Sequence, residues 1–171
     1  HEDKKRTWVL PLNSNWSGLP DTLETETLEI PNYAALAAQN QGALRFNTEN
    51  TAHYITDYQG VLLDQILDTI TELDSTSKLQ VVQERRLLAE AGNISFAELV
   101  PVIEKLTEES SYLVVSGVKA ILNGLKIFVD EGSETEEAYN DLVIKLSRFN
   151  FDRLGFEAKY GESDEDELVR Q

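Results

Sequence analysis

The chain has 171 residues, 41% of them hydrophobic, enough for one cored domain or for one domain plus part of another. Its formal net charge of −16 disfavours binding to nucleic acid or to an anionic membrane surface. The absence of cysteine excludes disulfides and permits a reducing compartment. The first ten residues lack the apolar stretch of a signal peptide, and the chain begins with His1. We therefore expect a piece of a longer, cytoplasmic protein.

Short segments of strand type occupy the first part of the chain. The alternation in Thr7–Leu12 predicts a strand, which Pro11 restricts to a sheet edge. Asn13–Pro20 has the composition of a turn. A further strand is predicted over Thr22–Ile30, and a helical turn over Tyr33–Ala38.

A β-hairpin is predicted next, because Ala43–Asn47 and Ala52–Tyr58 flank a short polar loop. Together these strands are too few and too short for an independent core. We interpret residues 1–58 as the end of a larger β-sandwich.

From Gln59 onward the apolar period changes from 2 to 3.6, which predicts helices and a boundary within about four residues of Gln59. Ser95 with Glu98, Ser133 with Glu136, and Ser163 with Asp166 have the spacing of helix caps. Pro101 should kink its helix or delay its start. The predicted helices are Val61–Leu73, Ser77–Ala91, one opening at Ser95, Ser111–Val129, one from Ser133 to Gly155, and one opening at Ser163.

The stretch Ser111–Val129 is apolar over most of its circumference, which predicts the most buried helix. Gly117, Ala120 and Gly124 would let a neighbouring backbone approach closely. One face of this helix is the stripe Val114, Val118, Ile121, Leu125 and Phe128.

The predicted fold class is mainly α, preceded by a few β-strands. Short loops between the helices favour antiparallel neighbours, and pairs at this spacing predict an α-solenoid of the HEAT or armadillo type.

The sequence offers no recognisable reaction centre. His1 and His53 are its histidines, no HExxH or phosphate-binding loop occurs, and none of the 31 carboxylates is distinguished. Arg85 falls on an apolar helix face, where snorkelling or a carboxylate partner is favoured over a substrate role. The tyrosines Tyr54, Tyr58, Tyr112, Tyr139 and Tyr160 are interpreted as packing residues.

We therefore predict no catalytic and no metal-binding residue in this chain, and substrate-binding residues stay unknown. A free-standing helical adaptor that binds a protein or peptide, and a carboxylate-based hydrolase, are the alternative readings of the residues alone.

Five segments nevertheless resemble, in order, the C-terminal region of the gluzincin aminopeptidase N family, most closely the type of lactic acid bacteria. They are TWVLPLN, ALRFNTENTAHYITDY, SKLQVVQERRLLAEAGNIS, LTEESSYLVV and LGFEAKYGESDEDELVR. The matched positions are Lys78 in place of arginine, Glu84, Glu109, Tyr112, Gly155, Gly161, Glu162, Ser163 and Arg170. Ile55 and Val115 depart from the family's arginine and tryptophan.

This resemblance implies a fold and a role. Residues 1–58 would end a small β-sandwich domain, and residues 59–171 would begin a C-terminal superhelical domain. That domain would enclose the cavity that admits peptides by their N-terminus. The zinc ligands would lie in an upstream catalytic domain of the same protein. The implied partners are that domain and peptide substrates, with no nucleic acid and no membrane, and this chain would itself hold no cofactor.

Overall fold

The computed structural model describes residues 8–171, which form two compact units, one ending at Thr69 and one covering Ile70–Gln171. Across these residues the protein is mainly helical, as predicted. The first unit contains β1 (Leu10–Pro11), β2 (Thr22–Leu23), α1 (Tyr33–Gln39) and α2 (Gly60–Thr69). The second contains α3 (Ser75–Glu90), α4 (Val100–Lys105), α5 (Tyr112–Leu125), α6 (Glu134–Leu154) and α7 (Asp164–Arg170).

The single sheet of the described residues is shorter than predicted. Strands β1 and β2 are antiparallel, with Leu10 opposite Leu23 and Pro11 opposite Thr22. Beyond β2 the predicted strand is wrong, because the Thr25 hydroxyl donates to the Thr27 carbonyl at 2.6 Å and turns the chain. Thr7, at the start of the first predicted strand, lies outside the described residues.

The predicted hairpin of Ala43–Asn47 with Ala52–Tyr58 is wrong. The first of these segments bonds instead to the segment after β1: Asn15 N donates to Arg45 O at 3.1 Å, and Asn47 N to Leu12 O at 2.9 Å. Asn47 has a left-handed φ of 52° and is fully buried. Its side chain bonds to both the N–H and the carbonyl of Ala52, at 2.9 and 2.8 Å. One amide side chain therefore closes the loop where a strand ladder was expected.

Two tyrosines help to hold the first unit together. The Tyr54 hydroxyl donates to Leu12 O at 2.9 Å, and the Tyr58 hydroxyl accepts from Phe46 N at 2.7 Å. Both are packing residues with one bonded polar atom, as predicted. Helix α2 then begins at Gly60, one residue after Gln59, where the change of period predicts a helix.

In the second unit, helix α3 begins at Ser75, two residues earlier than the predicted Ser77. Asp74 is its N-cap and accepts from Ser77 N at 3.0 Å. The predicted apolar face of Val81, Val82, Leu88 and Ala89 is buried.

The capping box of Ser95 and Glu98 is present, and it opens a 3₁₀ turn over Phe96–Leu99. The α-helical geometry of α4 starts only at Val100, with Pro101 in the first turn, where its missing N–H costs nothing. Pro101 thus delays the helix, as predicted.

Helix α5 is the centre of the second unit, since it contacts α3, α6, α7 and the Phe96–Leu99 turn. Val114, Val118 and Ile121 are fully buried. The predicted stripe fails beyond Leu125, where a 3₁₀ turn, Lys126–Phe128, leaves the Phe128 side chain 60% exposed. Helix α5 is also not the most buried: it buries five of 14 residues, whereas α3 buries eight of 16.

The glycines of α5 admit close neighbours, but these are side chains rather than the predicted backbone. A Cβ on Gly117 would lie 3.0 Å from Leu79 Cδ1 and 3.1 Å from Val82 Cγ1, both on α3. A Cβ on Gly124 would lie 2.9 Å from Phe96 Cε1. The following helices have the predicted caps: Ser133 for α6, Ser163 for α7, and Gly155 with φ 70° after α6.

Candidate functional site

The polar contacts of the second unit centre on Glu109, in the loop before α5. Lys78 Nζ lies 2.7 Å from Glu109 Oε2, and the two side chains are 13% and 10% exposed. The other carboxylate oxygen accepts from the backbone N–H groups of Ser110 and Ser111, at 2.8 and 2.9 Å. Burial by itself raises the pKa of Glu109, but the bonds from Lys78 and the two N–H groups outweigh it and leave this pKa below the usual value. Glu109 is therefore ionised and tied to α3.

The same loop is tied to α6 and α7. Asn150 Nδ2 donates to the Glu109 carbonyl at 2.9 Å, and Arg153 Nη2 donates to Asn150 Oδ1 at 3.1 Å. Arg153 also pairs with Asp166 at the start of α7, and this bond holds the pKa of Asp166 below its usual value. These bonds link α3, the loop before α5, α6 and α7 in one network.

A second tie closes the loop between α6 and α7. Arg170 pairs with Glu162, and its Nε donates to the Gly155 carbonyl at 3.1 Å. The hydrogen bond from Arg170 holds the pKa of Glu162 below its usual value. Because one guanidinium bonds both acceptors, it joins the end of α7 to the end of α6.

Five of the nine residues matched to the family take part in the hydrogen bonds around Glu109 and Arg170. Lys78 pairs with Glu109, and Arg170 pairs with Glu162 beside Gly155. The backbone N–H of Tyr112 donates to Glu165 Oε1, on α7, at 2.8 Å. In this structure these residues join helices to one another.

Three residues of these contacts were not predicted from the sequence: Asn150 and Arg153, which connect to Glu109, and Glu165, which bonds Tyr112. The available signal was weak: Asn150 is a polar residue on the inner face of α6, between Leu146 and Leu154, and it is 8% exposed. A buried amide on an apolar face indicates a partner, although the sequence does not name it.

Arg85 is buried in α3, 2% exposed, and its Nη2 lies 3.6 Å from Glu98 Oε2. This agrees with the predicted carboxylate partner. Among the tyrosines, Tyr160 does not pack as predicted, because its side chain is fully exposed in the loop before α7.

Two grooves open on the second unit. The first, of about 410 Å³, lies between α5, α6 and α7 and includes Lys119, Asn123 and Arg170 in its wall. The second, of about 420 Å³, lies between the Phe96–Leu99 turn, the end of α5 and the first half of α6. No charged side chain lines the second groove. Its wall is Ser95, Phe96, Ala97, Val100, Leu125, Phe128, Val129, Thr135, Ala138, Tyr139 and Leu142.

A zinc ion does not fit the described residues. Within residues 8–171 no three His, Asp or Glu side chains converge as metal ligands. His53 is exposed and lies in no strand, contrary to the prediction, beside Trp8, Leu10 and Leu23. None of the described helices is long and apolar enough to cross a bilayer.

Comparison with known proteins identifies the relatives of this chain. It is 59% identical over 172 aligned residues, its whole length, to Aminopeptidase N of Lactococcus lactis subsp. lactis. It is 38% identical over 99% of its length to Aminopeptidase N of Lactobacillus helveticus. In both cases it spans about a fifth of the relative. No solved structure matches the chain.

A family model described as "ERAP1-like C-terminal domain" matches residues 44–171, the greater part of the chain. This match and the aminopeptidase relatives agree with the resemblance seen in the sequence. The chain therefore belongs to the family of ERAP1-like C-terminal domains and is similar to the aminopeptidases N of lactic acid bacteria.

Proposed function

We propose that this chain is part of a zinc aminopeptidase that removes residues from the N-termini of peptides. The observation that carries the proposal is the 59% identity, over the whole chain, to a fifth of Aminopeptidase N. The remaining four-fifths of such a protein would hold the zinc and the reacting groups. In this proposal the enzyme is cytoplasmic, and the catalytic domain precedes the present chain.

The role proposed for the second unit is to enclose the bound peptide. Residues 1–58 would end the sandwich domain, and residues 59–171 would begin a superhelical domain of stacked helix pairs. The start of α2 at Gly60 supports a boundary there in the backbone pattern, whereas the first compact unit extends through α2 to Thr69. The ties at Glu109 and Arg170 support a rigid wall, because they bond successive helices to each other.

Catalysis in the parent would use a zinc-bound water and a general-base carboxylate held elsewhere in the protein. The contribution of this chain would be to exclude bulk water and to limit how peptides enter the cavity. No step of the reaction is assigned to the residues described here.

Three measurements test the proposal. The parent reading frame should encode HExxH followed by a glutamate about 20 residues later. The parent enzyme should hydrolyse aminoacyl-nitroanilides and lose this activity with a chelator. The 171-residue chain, supplied with zinc, should show no turnover. Zinc-dependent turnover by the isolated chain at a rate comparable to the parent would refute the proposal.

The enclosing role has its own test. Removing the region that corresponds to α3–α7 from the parent should change turnover or the preferred peptide length while the zinc content stays the same. An unchanged length profile, with zinc retained, would show that the helical unit does not border the cavity.

A further inference from the structure

The apolar groove beside Phe128 presents a docking surface that the ties at Glu109 and Arg170 do not use. Its floor is an aromatic pair, Phe96 and Phe128, whose ring centroids are 5.2 Å apart. Phe96 also packs against Gly124 of α5, where a side chain would collide with its ring. Phe96 is therefore held in place by α5, while the Phe128 side chain that packs on it is 60% exposed.

The rim adds further apolar surface. Ile127, next to Phe128, is 81% exposed, and Val129 lies in the wall. Large apolar side chains that stand exposed beside a groove are typical of protein contact sites. Their exposure is not explained by any contact within the described part of this unit.

The charge around this groove has one predominant sign. Glu134 and Asp141 are one helical turn before and after Ala138, a wall residue, so both lie beside the groove on α6. Asp130 follows the wall residue Val129, and Glu137 precedes Ala138, so four exposed carboxylates border the groove. The cations that adjoin the wall in the same way are Lys126 and Lys145. A partner with apolar anchors and flanking lysines or arginines would complement this surface.

The groove also restricts the backbone conformation of such a partner. Helical segments and their caps form most of its walls, and their backbone groups already bond within the helices. They cannot add a bound strand to a sheet, so a bound segment must satisfy its own backbone hydrogen bonds. An amphipathic helix meets this requirement.

Two other occupants fit less well. A second copy of this chain would bring another net charge of −16 to the same rim. An anionic lipid surface would be repelled by the same carboxylates.

We propose that the groove between the Phe96–Leu99 turn, the end of α5 and the first half of α6 binds a basic amphipathic helix of a partner protein. Its apolar side chains would pack on Phe96 and Phe128, and its lysines or arginines would face Glu134 and Asp141. This proposal does not depend on the zinc aminopeptidase function.

The test uses the whole 171-residue chain and a fluorescent helical peptide with leucine at positions 1, 4, 8 and 11 and lysine and alanine elsewhere. Anisotropy should show saturable binding that weakens with salt. A matched peptide with glutamate in place of lysine should bind at least about tenfold more weakly. Equal binding of the two peptides would overturn the proposal.

Variants of the chain locate the binding. Ile127→Ser with Phe128→Ser should weaken binding about tenfold, and both positions are exposed enough for folding to survive. Glu134→Gln with Asp141→Asn should weaken it about threefold at low salt. Asp152→Asn with Glu167→Gln changes the net charge by the same amount at exposed sites away from the groove. This variant should bind the peptide as tightly as the unmodified 171-residue chain does.

If the Glu134/Asp141 variant and the Asp152/Glu167 variant bind the peptide equally, the attraction depends only on net charge and the proposed site is wrong. Sedimentation supplies the remaining check. If the unmodified chain sediments as a dimer and the Ile127/Phe128 variant as a monomer, a second copy covers the groove, and this result also overturns the proposal.

Discussion

Lys78 and Glu109, 31 residues apart in the chain, meet at 2.7 Å with both side chains largely buried. Glu109 at the same time bonds the first N–H groups before α5, and its carbonyl accepts from Asn150 on α6. This pair therefore decides how α3, α5 and α6 are placed relative to one another.

Replacing Lys78 by methionine should destabilise the second unit by about 1–3 kcal/mol, because it leaves a mostly buried carboxylate without its cation. Urea denaturation measures the change. The double variant Lys78→Met/Glu109→Gln should recover part of the loss, since no charge is then left uncompensated.

The exposed pair of Arg86 and Glu90, at 2.6 Å, provides a matched control. Arg86→Met should change the free energy of unfolding by no more than about 0.5 kcal/mol. If Arg86→Met lowered the free energy of unfolding as much as Lys78→Met, burial would not distinguish the two ion pairs.

Acid should weaken the tie at Glu109. Because its pKa in the folded protein lies below the usual 4.5, its contribution to stability is complete above pH 4.5 and is lost as the pH falls through the lowered value. The free energy of unfolding should therefore decrease less between pH 7 and about pH 3 in Glu109→Gln than in the unmodified chain. Parallel pH profiles of the two proteins would contradict the assigned role of Glu109.

Gly124→Leu should destabilise the second unit by about 1–3 kcal/mol, because even a Cβ there would lie 2.9 Å from Phe96. Shortening Phe96 to alanine in the same protein should reduce the penalty, since the obstructing ring is gone. Asn123→Leu, at the adjacent exposed position, is the control and should stay within about 0.5 kcal/mol in chemical denaturation.

Asn47→Ala should destabilise the first unit by about 1–3 kcal/mol, because it removes both side-chain bonds to Ala52 in a buried site. Asn50→Ala is the matched control: Asn50 has a similar φ of 50° but is exposed. The difference between the unfolding temperatures of the two variants separates the contribution of the side-chain hydrogen bonds from that of the left-handed backbone. Equal losses would show that the left-handed backbone alone is responsible.

Arg170→Lys should loosen α7, because an ammonium cannot reproduce the guanidinium's simultaneous bonds to Glu162 and the Gly155 carbonyl. Hydrogen exchange should become faster at the amides of α7 and unchanged in α3. Arg148→Lys, at an exposed position on α6, should leave both regions as they are. Unchanged exchange in α7 would mean that Val169 and the other contacts hold this helix without Arg170.

The helical half of the chain was largely predictable because its signals are local. Ser95, Ser133 and Ser163 cap helices through bonds to residues two or three positions later, so most of the boundaries can be read from neighbouring residues in the sequence. Pro101 acts within its own turn in the same way. The family resemblance likewise follows from short motifs in their order.

Prediction from the local sequence pattern failed where contacts with residues distant in the chain determined the structure. The segment Ala43–Asn47 has the alternation of a strand, yet it bonds to the residues after β1, and the Asn47 side chain closes the loop. Phe128 continues the apolar stripe of α5, but the helix changes to a 3₁₀ turn at Lys126 and rotates this ring to the surface.

The sequence by itself determined where most helices begin and end and which family the chain resembles, because both depend on residues close together in the chain. Only the tertiary structure decided that Lys78 meets Glu109, that Asn150 bonds to the Glu109 carbonyl, and that Arg170 reaches Gly155. Such contacts depend on how helices pack, and many pairings of charged residues satisfy the same helix pattern equally well.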